Sequence, residues 1–144
     1  MHATVRSVIE AAGDRPEDVC ILDTEASPEH LSRGTARYAD GMLIVVEPYF
    51  KSLETGRRMA ALARDLGLTN VGLIANKIRD DSEREAVREF AAQHDLEIAA
   101  VVPWDEQMPG AERAAAAPLD FAPETPAVAE IGRLAREWVA NGRA

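Results

Sequence analysis

Only two lysines, Lys51 and Lys77, occur in this chain of 144 residues. Lys51 follows Phe50 and Lys77 follows Asn76, so no glycine-rich turn carries a lysine. The phosphate-cradling pattern G-x-x-x-x-G-K-[ST] therefore cannot be formed from these residues. Cys20 is the sole cysteine, which excludes an internal disulfide and a self-contained cysteine-rich metal site. Its place inside an apolar run predicts a small buried core residue. The three histidines, His2, His30 and His94, lack ligand spacing, so none is read as a metal ligand. No apolar stretch approaches the roughly 18 residues of a membrane-crossing helix. The first twelve residues contain Glu10 and no continuous apolar core, a poor signal peptide, so a cytoplasmic protein is expected.

What is present fits one domain over residues 1–144. A hydrophobic fraction of 47% suits a globular core and argues against disorder. A chain of this length buries roughly 68–70% of its unfolded surface. The net charge of −9 argues against a nucleic-acid backbone or an anionic membrane as the main partner.

Helical spacing of Val5, Val8, Ile9 and Ala12 predicts a first helix, ended by Gly13-Asp14 ahead of Pro16. Four apolar runs then read as strands: Val19–Leu22, Met42–Val46, Val71–Ala75 and Leu96–Val102. Between them lie helical patterns. Residues from about Ser52 to Leu66 carry Met59, Leu62 and Leu66 on one face, with Gly67 well placed to end the helix. A capping-box pattern, Ser82 with Glu85, opens the next helix, which should bury Val87, Phe90 and Ala91. A proline-rich connection holds a short helix around Ala111–Ala117. Thr125-Pro126 then start a final helix that should bury Val128, Ile131, Leu134, Ala135 and Trp138. Strands that are apolar throughout and alternate with helices predict an α/β fold, a three-layer sandwich around a mostly parallel sheet.

Ligands of such sheets sit outside the carboxyl ends of the strands. Three predicted strand ends carry suggestive chemistry: Asp23, Asn76-Lys77, and Pro103 with Asp105. A buried strand that delivers one aspartate at its C-terminal end is how P-loop nucleoside triphosphatases place a Mg²⁺-linked aspartate. Asp23 could equally cap the turn that follows it. Thr24, Glu25 and the segment His30–Gly34, with Arg33, favour a switch. Asn76 offers a donor and an acceptor to a purine, and the Lys77 stem could lie along a ring face. A guanine-reading N-K-x-D would need an acid at position 79, where Arg79 stands, so adenine is favoured; the bland alternative is a loop asparagine in a left-handed turn. Trp104 either rims a base pocket or covers the sheet edge.

The blocks DTEASPEHLSRG at 23–34, DGMLIVVEPYFKSLETGRRMAALARDLGLTNVGLIANK at 40–77 and VVPWD at 101–105 resemble the MinD/ParA-like P-loop ATPases. Within that family they are most similar to the nickel-insertion accessory ATPases of carbon monoxide dehydrogenase. The resemblance implies ATP and Mg²⁺ as cofactors, with Asp23 as the catalytic aspartate that supports Mg²⁺. It implies a γ-phosphate switch over Glu25–Gly34 that includes His30 and Arg33, and an adenine site of Asn76, Lys77, Pro103 and Asp105. It implies adenine nucleotide as ligand, a metalloenzyme client such as carbon monoxide dehydrogenase, and a homodimer.

The chain departs from the family pattern in two ways. Ser27 stands where the family's switch usually has glycine. The family's phosphate-loop strand and its C-x-C metal motif are not in this sequence, so residues 1–144 correspond to the C-terminal portion of the fold. By resemblance, the phosphate-loop strand lies between the strand ending at Asp23 and the one ending at Val46. Without it those two strands pair directly or leave an open slot, and hydrolysis needs a complementing N-terminal segment. The competing expectation is an α/β protein-interaction module without nucleotide, or a truncated gene product.

Overall fold

A computed structural model describes residues 19–24 and 39–141. In chain order its elements are β1 (Met42–Val46), α1 (Phe50–Asp65), β2 (Val71–Ile78), α2 (Asp81–Gln93), β3 (Glu97–Pro103), α3 (Met108–Arg113), α4 (Pro118–Phe121) and α5 (Pro126–Asn141). The three strands form a parallel sheet in the order β1-β2-β3. Each connection is a helix, as parallel neighbours require.

Helices α1 and α2 cover one face, where Ile44, Val46, Leu73, Ala75 and Ile78 meet Leu53, Met59, Ala60, Val87 and Ala91. Helix α5 covers the other, where Ile74, Ala100 and Val102 meet Ala127 and Leu134, with Trp138 packed alongside. The result is the expected helix–sheet–helix layering. Close approach explains two glycines. A Cβ on Gly56 of α1 would lie 2.5 Å from Val46 Cγ1, and one on Gly72 of β2 would lie 2.9 Å from the Cβ of Ala99.

Two irregularities set which side chains share a face. Leu73 pairs with Ile98 but Ile74 pairs with Ala100, so β3 carries an extra residue, Ala99. Ala99 and Ala100 consequently both lie on the α5 side. Ala75 pairs with Val101 and Ile78 with Pro103, which gives β2 an extra residue at Asn76-Lys77. Ala75 and Ile78, three apart, therefore both face α1 and α2.

Several expectations are corrected. Residues Val19–Leu22 are not in a strand; they are exposed, as is Cys20. An apolar run needs a neighbouring edge to become a strand, and among the described residues none is beside it. Three strands, not four, are described. The second helix is capped by Asp80, whose Oδ1 accepts from the Glu83 backbone N–H at 2.9 Å, while Glu83 Oε2 accepts from the Arg79 N–H at 2.7 Å. The reciprocal capping pair is thus two residues earlier than Ser82 and Glu85. In α5, Leu134 is buried but Ile131 and Ala135 are exposed, because the sheet beneath covers only one side of the helix. The short helix predicted over Ala111–Ala117 is replaced by α3 and α4, with Ala114–Ala117 between them. Gly67, at φ 90°, ends α1 as expected, and the Thr125 hydroxyl accepts from Val128 N–H at the start of α5. The helix expected around Val5–Ala12 lies outside the described residues. No described helix is long and apolar enough to cross a membrane.

Candidate functional site

The carboxyl ends of β1, β2 and β3 lie along one edge of the sheet because all three strands run the same way. Asn76 and Lys77 stand near this edge, but not beyond the strand as the apolar run suggested: β2 continues through Ile78. Lys77 is in the left-handed region at φ 60°, a conformation unusual for a residue with a side chain. Asn76 stabilises it locally, its Oδ1 accepting from the Lys77 backbone N–H at 3.0 Å. The bulge, rather than a loop after the strand, presents this pair.

The next strand end joins directly. Ile78 pairs with Pro103, and the Trp104 N–H donates to the Ile78 carbonyl at 2.8 Å. The Arg79 guanidinium lies 4.5 Å from the centroid of the Trp104 ring, a cation–π contact on a partly exposed aromatic. Trp104 is thus held at the joined ends of β2 and β3, the sheet-edge position considered for it. Asp105 folds back through an Asx turn, Oδ1 accepting from the Gln107 N–H at 2.9 Å. Its Oδ2 is buried and has no hydrogen-bond partner among the described residues. A buried acceptor without a donor is costly to leave unmade and marks a place where an N–H or O–H is wanted.

Lys77 reaches across to the end of β1, Nζ to Glu47 Oε1 at 2.7 Å. Both partners are substantially exposed, so the pair adds little stability, but it directs the ammonium toward β1 rather than over the β3 end. Glu47 also anchors the first turn of α1, its backbone N–H donating to Ser52 Oγ at 2.9 Å. Neither Glu47 nor Arg79 is among the site residues that the sequence pointed to. The signal for Glu47 was its position: a charged residue directly after a buried strand, on the edge where the other candidates sit.

The structure thus brings Asn76, Lys77, Pro103 and Asp105 to one edge. Asp23 is described as an exposed residue in irregular chain. Glu25, His30, Arg33 and Gly34 lie outside the described residues. Among the described residues no cluster of three or more His, Cys, Asp or Glu is arranged to hold a metal ion.

No family model matches the chain. It is 33% identical over 122 residues to the carbon monoxide dehydrogenase accessory protein CooC of Rhodospirillum rubrum, spanning 85% of this chain and 46% of that one. It is 44% identical over 93 residues to an uncharacterized ATP-binding protein of Methanocaldococcus jannaschii, 64% of this chain and 36% of that one. The chain thus spans less than half the length of these two relatives. Among solved structures, the septum site-determining protein MinD of Pyrococcus horikoshii, in complex with Mg-ADP, superposes with a TM-score of 0.70 over 98% of this chain and 58% of that one at 16% identity. The MinD cell division protein of Aquifex aeolicus gives 0.63 over 74% and 46% at 24% identity. Sequence relatives and fold neighbours point the same way: the chain is similar to the CooC accessory protein and to ATP-binding proteins over part of their length, and it has the fold of the MinD ATPases.

Proposed function

We propose that these residues form the base-recognising and magnesium-facing part of an ATP-binding protein of the MinD/CooC kind. The observation that carries the reading is the joined end of β2 and β3, where Asn76 stands one strand from a buried Asp105 Oδ2 that has no partner among the described residues. That oxygen is an acceptor and the Asn76 side-chain amide nitrogen a donor, the complement of a base edge that offers an amino group and a ring nitrogen. Adenine fits this donor set in kind. Pro103 and the aliphatic stem of Lys77 would supply apolar cover for the ring.

Mg²⁺ is held by one or two carboxylates together with substrate phosphates, so a lone Asp23 suffices only with nucleotide present. Bound Mg²⁺ would neutralise phosphate charge, and Asp23 would orient its water shell. The switch role of Glu25, His30, Arg33 and Gly34 belongs to the same proposal. The triphosphate itself is not matched: neither lysine follows a glycine-rich turn, and Lys77 is paired with Glu47. These 144 residues therefore do not turn over ATP by themselves, because hydrolysis requires a lysine-bearing phosphate loop. Relatedness to a carbon monoxide dehydrogenase accessory protein supports a role in maturing a metal centre, with nickel insertion as the specific chemistry.

A second reading, an interaction module without nucleotide, is favoured by one feature: Asn76 Oδ1 and Lys77 Nζ are both occupied by internal partners. Calorimetric titration with MgADP and MgATP separates the two. The first reading expects saturable binding that Asp105→Ala weakens at least about tenfold, the loss of one charge-assisted hydrogen bond. Absence of heat with a folded chain favours the module.

A further inference from the structure

The last residues of β2 and β3 are tied together from two directions. From the backbone, Ile78 pairs with Pro103 and its carbonyl accepts from the Trp104 N–H at 2.8 Å. From the side chains, the Arg79 guanidinium stands 4.5 Å from the centroid of the Trp104 ring, with its Nη1 3.6 Å from Glu83 Oε1. Glu83 Oε2 also accepts from the Arg79 backbone N–H at 2.7 Å, so one carboxylate in the first turn of α2 holds both ends of the arginine. A continuous line of contacts thus runs from α2, through Arg79, to the residue that precedes Asp105.

Asp105 needs such an anchor. It lies in irregular chain beyond β3, where no strand ladder fixes its backbone. On its C-terminal side it is held by the Asx turn to Gln107 and by the Met108 N–H, which donates to the Asp105 carbonyl at 3.3 Å. On its N-terminal side the anchor is Trp104. A carboxylate reads a base edge only when its oxygen is held within roughly half an ångström, by neighbours that are themselves locked. We infer that Arg79 is a positioning residue for base recognition: its guanidinium holds the Trp104 indole and, through it, fixes where Asp105 presents its buried Oδ2. The consequence for nucleotide rests on the adenine reading above; the hold on Asp105 does not.

The residue type suits the task. A guanidinium is planar and weakly hydrated, so it stacks on an aromatic face while keeping its carboxylate partner, which an ammonium does less well. Trp104 is 39% exposed and the Arg79 side chain 56%, so the contact is partly screened. At such a site it corresponds to about a two- to fivefold change in an equilibrium. Among the described residues no hydrogen bond or ion pair joins Arg79 to Asp105, so the effect passes through the indole.

Amide exchange on the full chain, followed by calorimetry, tests this. Arg79→Ala should speed exchange of the Trp104 and Gln107 amides about two- to fivefold and leave Leu73 and Glu83 unchanged. The Glu83 amide is capped by Asp80 and reports on α2, so a matching change there means general loosening of the corner and overturns the inference. An unchanged Gln107 amide overturns it as well. In a Trp104→Ala background, Arg79→Ala should add nothing to the Gln107 rate, and an undiminished effect refutes the path through the indole. Should Trp104→Ala disturb Leu73, the single variant Arg79→Ala decides alone. In titrations, Arg79→Ala should weaken MgADP by about the same two- to fivefold but spare purine riboside diphosphate, which lacks the exocyclic amino group. Equal loss of both ligands overturns positioning of Asp105. If the unaltered chain binds neither, the adenine reading fails, while the Gln107 exchange rate still decides the hold on Asp105.

Discussion

The two edges of the sheet are treated in opposite ways. At the outer edge of β3, α5 turns two charged side chains onto the strand. Glu130 Oε1 accepts from the Val101 N–H at 3.2 Å, and Arg133 Nη2 donates to the Ala99 carbonyl at 3.2 Å. The two side chains also pair with each other at 2.7 Å, and Arg133 pairs with Glu137. The extra residue at Ala99 twists the same stretch, a second device against edge pairing. At the outer edge of β1 there is neither charge nor bulge, only apolar side chains and two outward-facing residues. An edge closed by backbone-binding side chains is where a sheet stops; a bare apolar one is where it accepts another strand. Among the described residues the β3 edge is closed by side chains of α5, whereas the β1 edge carries no such closure.

The strongest disturbance of both edges is expected from their shared centre. Leu73→Ala, at a position 1% exposed between the two helical layers and the neighbouring strands, should cost about 2–5 kcal/mol in urea unfolding. Gly56→Ala targets the β1 side alone. Its Cβ would meet Val46 Cγ1 at 2.5 Å, and Val46 is 2% exposed and β-branched, so α1 must lift from β1. A loss of about 1–3 kcal/mol, partly offset by better helix propensity, should appear in the same assay.

Opening the β3 edge should be milder. Glu130→Ala removes the acceptor of Val101 and one partner of Arg133, and about 1 kcal/mol of stability with it, read as faster exchange of the Val101 amide. Acid should do the same without mutation. The Arg133 guanidinium beside Glu130 holds its carboxyl below the usual glutamate range, and the Val101 N–H adds to this. A carboxyl lowered in the folded state contributes stability above its unfolded value of roughly 4.3, and that contribution is lost as pH falls through the folded value. Val101 protection should therefore decline below about pH 4, which exchange measured across an acid series would detect. The smallest effect is expected at the candidate site. Lys77→Gly relieves a left-handed backbone but gives up an exposed ion pair and adds chain entropy, so its unfolding free energy should stay within about 1 kcal/mol of the parent.

Much of the fold was legible because it follows from local pattern. Met42–Val46 and the helix ending at Gly67 were readable from apolar runs and a glycine in the right place. The start of α5 at Thr125-Pro126 was readable for the same reason. Where reading failed, the missing information was non-local. Val19–Leu22 has the composition of a strand, but composition cannot say whether an edge lies beside it. Asp80, two residues past Ile78, is the cap rather than Ser82 because its Oδ1 accepts from the Glu83 N–H, and β2 ends three residues beyond the apolar run. Ile131 and Ala135 fit a buried helical stripe by spacing, yet the sheet beneath α5 is too narrow to cover them. For the candidate site, the residue types at 76, 77, 103 and 105 were legible; the Glu47–Lys77 pair and the buried Asp105 oxygen, without a partner among the described residues, were not, since both depend on strands meeting.

By itself, then, the order of residues determined the alternation of strand and helix, the parallel sense of the sheet, and the lack of any lysine able to grip a triphosphate. Each is a property of composition or short-range periodicity. Only the tertiary structure decided that bulges turn Ala99 and Ile78 onto their faces, that Arg133 and Glu130 close one edge, and that no described strand lies beside the other. Those outcomes are set by register between strands distant in sequence, which the packing of α1, α2 and α5 selects and no single segment can encode.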